Sequence, residues 1–285
     1  MADSIDKLTY SSIRNYLHGI ATTHVELGHS NPLNQSPLPW RMFKGIKRIQ
    51  GERAVRKRLP ITVKILEQID TLFDATQQTH LCMRAAMWLG TCGLLRSGEF
   101  TRKPTTKYTL KLNHLTFHSK DNSVIDPLDT TSGIPLYMSL RLDQSKTDPF
   151  RRGTSVVISN VKAIQYMLAY LRKRQCSLAR QPLLIGDDGQ ALSTSALVKF
   201  TQSLIEKASI ANAHLFLGHS FRKGGATSLH EAGHPDSLIK LMGRWASFAF
   251  ATYIDTPLHM LIEAGQSMTK VDPINGSFWD VNSLF

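Results

Sequence analysis

The segment from His80 to Leu95 is strongly apolar and restricts the fold of this chain more than any other feature. Arg84 interrupts it, so no apolar run reaches the roughly 18 residues that a membrane-spanning helix needs. We therefore expect a helix buried inside a soluble protein, with other elements packed around it. At 285 residues the chain is long enough for one large domain with a small appendage, or for two domains.

The residue pattern elsewhere predicts a mainly α protein with one small antiparallel β-sheet, an α+β fold. Residues 110–117 and 137–142 alternate as strands do, and residues 155–158 can pair back across a loop. Helical spacing is found in the other segments, which are 8–27, 39–49, 62–73, 161–174, 193–208, 222–231, 235–242 and 257–267. We expect a short helical domain at 1–50, a basic linker at 51–60 and a large domain at 61–285.

Charge and cysteine content narrow the class of protein. Lys plus Arg exceed Asp plus Glu by 34 − 22 = 12, and such a surplus attracts polyanions. Nucleic acid is the expected partner, although a basic protein without one has the same composition. Cys82, Cys92 and Cys176 are few and widely spaced, and the first residues lack a secretory signal, which together indicate a reducing compartment.

Basic residues cluster on both sides of the predicted domain boundary. The run consists of Lys47, Arg48, Arg53, Arg56, Lys57 and Arg58. Such a run is usually a solvent-exposed basic surface. Its position between two domains also fits a linker that lies along the phosphate backbone of DNA. Arg151 and Arg152, near a predicted hairpin tip, would fit further DNA contacts.

Several dispersed residues have the chemistry needed to attack a phosphodiester. A tyrosine hydroxyl ionises with a pKa of about 10, so a site must stabilise its anion, neutralise charge on the phosphate and protonate the leaving oxygen. Arginine binds phosphate oxygens with two parallel hydrogen bonds. Arg96, with Glu99 placed to orient it, and Arg222 are the candidates. Arg96 and Glu99 could instead form an ordinary surface ion pair.

Three further candidates complete this set. His219 precedes Arg222 by three residues at the start of a predicted helix, where free amides favour phosphate. Lys146 lies near the tip of the predicted hairpin, from which its ammonium could reach a scissile bond. Tyr253 could be the nucleophile, or a core tyrosine with a satisfied hydroxyl.

Taken in order, these residues resemble the tyrosine recombinase or phage-integrase family. The matching pattern is Gly-x-Leu-Arg-x-x-Glu at Arg96, a hairpin lysine, His-x-x-Arg, Gly-Arg-Trp at Trp245, and then Tyr253. The likeness spans about residues 59–254. Gly-Arg-Trp, and Ser-Lys-Thr-Asp around Lys146, particularly resemble the eukaryotic Crypton-type transposon recombinases.

The resemblance implies a catalytic domain that cleaves and rejoins double-stranded DNA without metal or other cofactor. Tyr253 would attack to leave a 3′-phosphotyrosine, while Arg96, Arg222 and His219 bind the phosphate and Lys146 protonates the leaving oxygen. Many relatives have His or Trp where this chain has Arg244, so either Arg244 or Trp245 would pack beside the phosphate.

The resemblance also implies a tetramer on two DNA duplexes, with exchanged C-terminal helices at 257–267. Because no apolar run is long enough to span a bilayer, we expect no association with a membrane. Residues 1–50 resemble only part of the family's helical DNA clamp. The protein would act in the nucleus of a eukaryote, or otherwise in the cytoplasm.

Three alternative functions fit the sequence as well. The chain could bind DNA without exchanging strands, because of the shortened clamp, or act as a type IB topoisomerase. His230, Glu231 and His234 also match the His-Glu-x-x-His zinc motif of metalloproteases. Gly233 and Pro235 oppose the continuous helix that this motif requires.

Overall fold

The structure is a computed structural model, and its chain divides into two compact units, Met1–Lys57 and Arg58–Phe285. It describes residues 8–51, 58–103, 109–131, 133, 135–144, 150, 152–174, 180–186, 189–254, 260, 262 and 266–267. These ranges are mostly helical with one small antiparallel sheet, which confirms the predicted fold class. No helix within them has both the length and the apolar character needed to cross a bilayer.

The small unit contains two helices, α1 (Tyr10–Glu26) and α2 (Leu38–Gln50). They contact each other where the ring of Tyr10 meets the ring of Phe43 edge-on, with 5.8 Å between centroids. The Tyr10 amide also donates to Gln50 Oε1 at 2.7 Å. Within its described residues 8–51, the buried apolar side chains are Ala21, Leu33 and Phe43. Two helices with so small a core bury too little surface to be stable alone.

The large unit is built around the apolar helix that the sequence predicts. Its described helices are α3 (Val63–Ile69), α4 (Gln78–Cys92), α5 (Ser97–Phe100), α6 (Val161–Arg174), α7 (Thr194–Lys207), α8 (Ser220–Glu231) and α9 (Asp236–Gly243). Helix α4 packs against α6 and α8, and its side chains from Leu81 to Thr91 are buried except that of Arg84. Arg84 is satisfied by Asp70, to which Nε donates at 2.8 Å.

Four antiparallel strands form the sheet in the order β2-β1-β3-β4. They are β1 (Leu115–His118), β2 (Val124–Ile125), β3 (Tyr137–Leu142) and β4 (Thr154–Ile158). In the register, Phe117 pairs with Met138, which in turn pairs with Ile158. These three side chains are fully buried, so one face of the sheet joins the core around α4.

Two glycines let α8 approach its neighbours closely. A Cβ on Gly224 would overlap the carbonyl of Ile61, and one on Gly225 would overlap the carbonyl of Thr91 in α4. The Ile61 amide donates to Ser220 O at 2.9 Å, which fixes the start of α8 against the same segment. The first turn of α8 is thereby held against the end of α4.

Two predicted elements differ from the structure. The strand predicted at 110–117 is wrong in its first half, since Leu112–His114 is a 3-10 turn and the Leu110 carbonyl accepts from Leu183 outside the sheet. The helix predicted at 62–73 ends at Ile69 and continues as a 3-10 turn, Asp70–Leu72. The short elements α5 and β2 were not predicted, because four and two residues carry too little periodicity.

Candidate active site

Arg96 lies just after the end of α4 and is oriented by Glu99 of α5. Glu99 accepts from Arg96 Nη1 at 3.0 Å and from the Arg96 amide at 2.8 Å. The two side chains are only 18% and 5% exposed, so this is not a solvated surface ion pair. A guanidinium fixed in a partly buried site is prepared to bind an anion at a lower entropic cost.

Arg222 lies in the first turn of α8 and has no exposed surface. Its Nη1 donates to the Leu94 carbonyl at 2.7 Å, its Nη2 donates to the Gly243 carbonyl, and its buried Nε bonds to no described residue. Burial and the charges of Arg96 and Arg244 lower the pKa of Arg222 to about 9. The side chain therefore remains cationic at neutral pH, with N–H donors still available.

The carbonyl that holds Arg222 belongs to a residue with unusual backbone geometry. Leu94 has a φ of +46°, in the left-handed region that non-glycine residues rarely occupy. Such a conformation costs of order 1 kcal/mol and persists where surrounding contacts enforce it. Here Arg222 and Arg244 both donate to Leu94 O, at 2.7 and 3.3 Å.

Trp245 and Tyr253 cover the guanidinium of Arg222. The guanidinium carbon lies 4.2 Å from the ring centroid of Trp245 and 5.8 Å from that of Tyr253, and the two rings are 5.3 Å apart. A Cβ on Gly243 would overlap the Trp245 ring, so glycine makes room for it. Cation–π attraction is strongest for such desolvated pairs.

Tyr253 ends a 3-10 turn, Phe248–Tyr253, and is half-buried. Its backbone carbonyl accepts from Thr227 Oγ1 of α8 at 3.4 Å. The phenol hydroxyl makes no hydrogen bond with any residue in the described ranges. Tyr253 therefore does not have the satisfied hydroxyl of an ordinary core tyrosine.

His219 is the N-cap residue of α8 and is half-buried beside several cations. Burial lowers the pKa of His219 below 6.5, and the charges of Arg58, Lys103, Arg222 and Arg96 lower it further. The imidazole is therefore neutral at pH 7. A neutral imidazole can both donate and accept a hydrogen bond, which suits contact with a phosphate or with a phenol.

Arg244 supports the site through Glu99 and through the backbone. Its Nη2 donates to Glu99 Oε2 at 2.9 Å, and its Nη1 donates to the Gly93 carbonyl at 3.3 Å. Arg244 ends α9 with a φ of +57° and is 14% exposed at its side chain. Trp245, and not Arg244, lies against Arg222.

The structure brings together the predicted catalytic and supporting residues except Lys146. Glu99 Oε1 accepts from the Arg96 guanidinium and Oε2 from that of Arg244, and the charges of both arginines act on Arg222. The predicted residues gathered here are Arg96, Glu99, His219, Arg222, Arg244, Trp245 and Tyr253.

Other predicted residues fall elsewhere. Lys146, Arg151, Arg53, Arg56 and Lys57 lie outside the described residues. Lys47 and Arg48 belong to the last turn of α2 in the small unit. Arg58 is exposed and lies near His219, while Arg152 is exposed with its guanidinium 5.5 Å from the Phe150 ring centroid.

The zinc motif does not form the geometry that zinc proteases use. Helix α8 ends at Glu231, Gly233 has a φ of +78°, and His234 lies beyond the helix. Glu231 pairs with Lys64 at 3.5 Å. Among the described residues, no three His, Cys, Asp or Glu side chains are placed to hold a metal ion.

Lys103 is a site residue that the sequence reasoning missed. Its charge contributes to the lowered pKa of His219, and its side chain lies across Gly98 of α5. It follows Arg96 by seven residues and belongs to no motif singled out in the sequence. Its position is visible only in the structure, where its side chain lies against Gly98 of α5.

This arrangement can perform two tasks in chemical terms. Guanidinium and ammonium groups around a neutral imidazole can hold an oxyanion, because charged donors in a partly desolvated site stabilise it strongly. The phenol of Tyr253, which makes no hydrogen bond with a described residue, lies against Arg222 and has the chemistry of a nucleophile.

Searches of known proteins gave structural matches alone. No family model matches the chain, and no curated protein matches it. XerH site-specific recombinase bound to palindromic difH substrate aligns with a TM-score of 0.53 at 16% identity, over 75% of this chain and 54% of that one. The chain therefore spans about half the length of XerH.

Two further structures match over more of their length. XerA recombinase aligns with a TM-score of 0.52 at 16% identity, over 96% of this chain and 85% of that one. The Tn1549 transposon integrase in complex with transposon right end DNA aligns with a TM-score of 0.52 at 14% identity, over 93% of this chain and 80% of that one. Identities this low establish the fold alone. The chain has the fold of the tyrosine recombinases and integrases.

Proposed function

We propose that this protein is a site-specific DNA recombinase that cleaves and rejoins strands through a 3′-phosphotyrosine. The observation that supports it most is the placement of Arg222 next to both Tyr253 and the electrostatic field of Arg96. That placement joins a nucleophile to the groups that neutralise a phosphate. The fold shared with recombinases and integrases supports the same assignment.

In the proposed reaction, Tyr253 Oη loses its proton to water and attacks a DNA phosphorus, so that a tyrosyl–phosphate bond forms. The bond from phosphorus to the 5′ oxygen breaks, and that oxygen takes a proton from Lys146 to leave as a hydroxyl. Arg96 and Arg222 neutralise the charge that builds on the non-bridging oxygens, while His219 donates a hydrogen bond. Attack by a different 5′ hydroxyl reverses these bond changes and completes strand exchange.

Trp245 has a definite part in this proposal. It covers Arg222, which has no exposed surface, so we expect DNA to displace the ring before a phosphate reaches the guanidinium. The stacked ring also excludes water, which strengthens the charge interactions of the guanidinium.

The finer assignments are part of the same proposal. The Gly243-Arg244-Trp245 motif supports a Crypton-type transposon recombinase, which would act in the nucleus of a eukaryotic host, or otherwise in the cytoplasm. Assembly as a tetramer on two duplexes would use residues 257–267 for exchange between protomers. The basic residues between Lys47 and Arg58, with Arg151 and Arg152, would track the DNA backbone.

A suicide substrate tests the proposal. The protein is incubated with nicked duplexes of a random-sequence library, and covalent adducts are separated on a denaturing gel. We expect an adduct from the wild-type chain and none from Tyr253→Phe, with Tyr137→Phe as the matched control that retains it. An adduct that survives Tyr253→Phe would eliminate the proposed nucleophile.

Adduct trapping and a plasmid relaxation assay together separate the two DNA-binding alternatives. DNA binding without an adduct on any library member would favour a protein that has kept the fold and lost strand exchange. Relaxation of supercoiled plasmid without site preference would favour a type IB topoisomerase.

A further inference from the structure

Lys103 follows α5 and its side chain lies across the backbone of that helix. A Cβ at Gly98 would overlap both Cε and Nζ of Lys103, so the absence of a side chain at Gly98 makes room for the lysine. Lys103 is half-buried, whereas the adjacent Arg102 is exposed. A lysine that serves only solubility extends into water, whereas this one lies against α5.

The held ammonium faces a site that already carries excess positive charge. The charge of Lys103 lowers the pKa of His219, as do the charges of Arg58, Arg96 and Arg222. Its Nζ forms no hydrogen bond or ion pair with a residue that the structure describes.

We define the cation cluster as Arg58, Arg96, Lys103, Arg222 and Arg244 with the carboxylate of Glu99. Its formal charge is five positive against one negative, or +4, while His219 is neutral. Glu99 pairs with Arg96 and Arg244, and it forms no ion pair with Lys103. The cations of this cluster repel one another, and an anion bound among them would reduce the repulsion.

We propose that Lys103 is a phosphate-binding residue of this site, whose ammonium contacts the DNA phosphate that Arg96 and Arg222 also hold. This inference rests on the proposed function, since it takes the anion to be a DNA phosphate. Lysine acts on phosphate as a flexible point charge, which complements the fixed forks of the arginines. The lysine adds a third cation on the His219 side of the phosphate.

Inorganic phosphate is the first probe, titrated into the DNA-free protein and followed through the imidazole NMR signals of His219. Lys103→Met removes the charge and keeps the apolar stem over Gly98, and Lys103→Gln is measured beside it so that a folding defect in one variant does not decide the result. Arg102→Met is the matched control, because it removes an equal charge from the next residue. Lys103→Arg tests conservative rescue.

We expect both neutral variants to weaken phosphate binding roughly tenfold, the loss of one charge-assisted hydrogen bond. Lys103→Arg should retain most of the affinity, and Arg102→Met should bind as the wild-type chain does. The His219 pKa should rise in both neutral variants, since one of the cations that lowers it is gone. Unchanged binding in the neutral variants, equal losses in Arg102→Met, or no phosphate binding by the wild-type site would each overturn the inference.

Duplex DNA is the second probe and identifies the source of the phosphate. DNA binding is measured in chains that all carry Tyr253→Phe, so that no strand is cleaved. Lys103→Met should lose one phosphate contact, which reduces the slope of log affinity against log salt concentration by about 0.9. Weaker phosphate binding with an unchanged slope would contradict a DNA contact for Lys103. Adduct formation depends on Tyr253 and is scored separately, so failure of the proposed nucleophile and failure of this inference are distinguishable.

Discussion

Glu99 holds the two arginines that shape the site, and its replacement gives the sharpest stability prediction. The carboxylate accepts from Arg96 Nη1 at 3.0 Å, from the Arg96 amide at 2.8 Å and from Arg244 Nη2 at 2.9 Å. All three side chains are less than one fifth exposed, so solvent screens the interaction weakly. Glu99→Gln keeps the shape, removes the charge and turns an amide nitrogen toward a guanidinium.

Breaking a buried ion pair by removing one partner costs about 3–5 kcal/mol. The amide oxygen of glutamine still accepts one hydrogen bond, so we expect the lower end, about 3 kcal/mol. For a unit of 228 residues, Arg58–Phe285, each kcal/mol shifts Tm by roughly 2–4 °C, which gives a fall of about 6–12 °C. Thermal and urea unfolding followed by circular dichroism measure both quantities.

Glu206→Gln is the control, because Glu206 is exposed on α7 and should change stability by less than about 0.5 kcal/mol. The double variant Glu99→Gln with Arg244→Met removes one of the uncompensated cations as well. Its destabilisation should be at least about 1 kcal/mol smaller than the sum of the single effects. Additive effects, or a loss below about 1 kcal/mol in Glu99→Gln, would refute the reasoning.

Three further predictions follow from packing and charge. Gly224→Ala should destabilise the large unit by about 1–3 kcal/mol or more, measured by urea unfolding, because its Cβ overlaps the Ile61 carbonyl. Burial alone would raise the pKa of Asp70, but hydrogen bonds from Arg84 and Tyr166 lower it below 3.8. The ionised carboxylate therefore stabilises the folded protein above pH 3.8, and this stabilisation is lost as the pH falls through the pKa of Asp70 in the folded state. Asp70→Asn should therefore flatten the acid end of the stability profile, and an unchanged profile would contradict this. Fluorine-labelled tryptophan should show the Trp245 resonance shifting on DNA binding, whereas a resonance that does not move would mean that the ring stays on Arg222.

The sequence was sufficient to predict the main elements and much of the candidate site. Helix α4 was predictable because a long apolar run has to be buried. Arg96, His219, Arg222 and Tyr253 were recognised by their order and by the chemistry of phosphate transfer. That these residues meet was a spatial hypothesis, since residues 96 and 253 are far apart in the chain.

Other features depend on geometry that no sequence pattern reports. Arg244 could not be told from Trp245 as the residue beside the phosphate-binding arginine, because the left-handed backbone at Arg244 decides which side chain turns toward Arg222. Lys103 was missed because the position of its side chain depends on Gly98 leaving room for it. The carbonyl of Leu94 is a main-chain group, and side-chain patterns carry no information about it.

The central claim is that Tyr253 becomes covalently linked to a 3′ DNA phosphate. The adduct trapped with a suicide duplex can be digested with nuclease and protease and analysed by mass spectrometry, which identifies both the modified residue and the strand end it carries. We predict a nucleotide joined through its 3′ phosphate to the peptide containing Tyr253, with a free 5′ hydroxyl on the released strand. A link to another residue, or a 5′-phosphate linkage, would contradict the account.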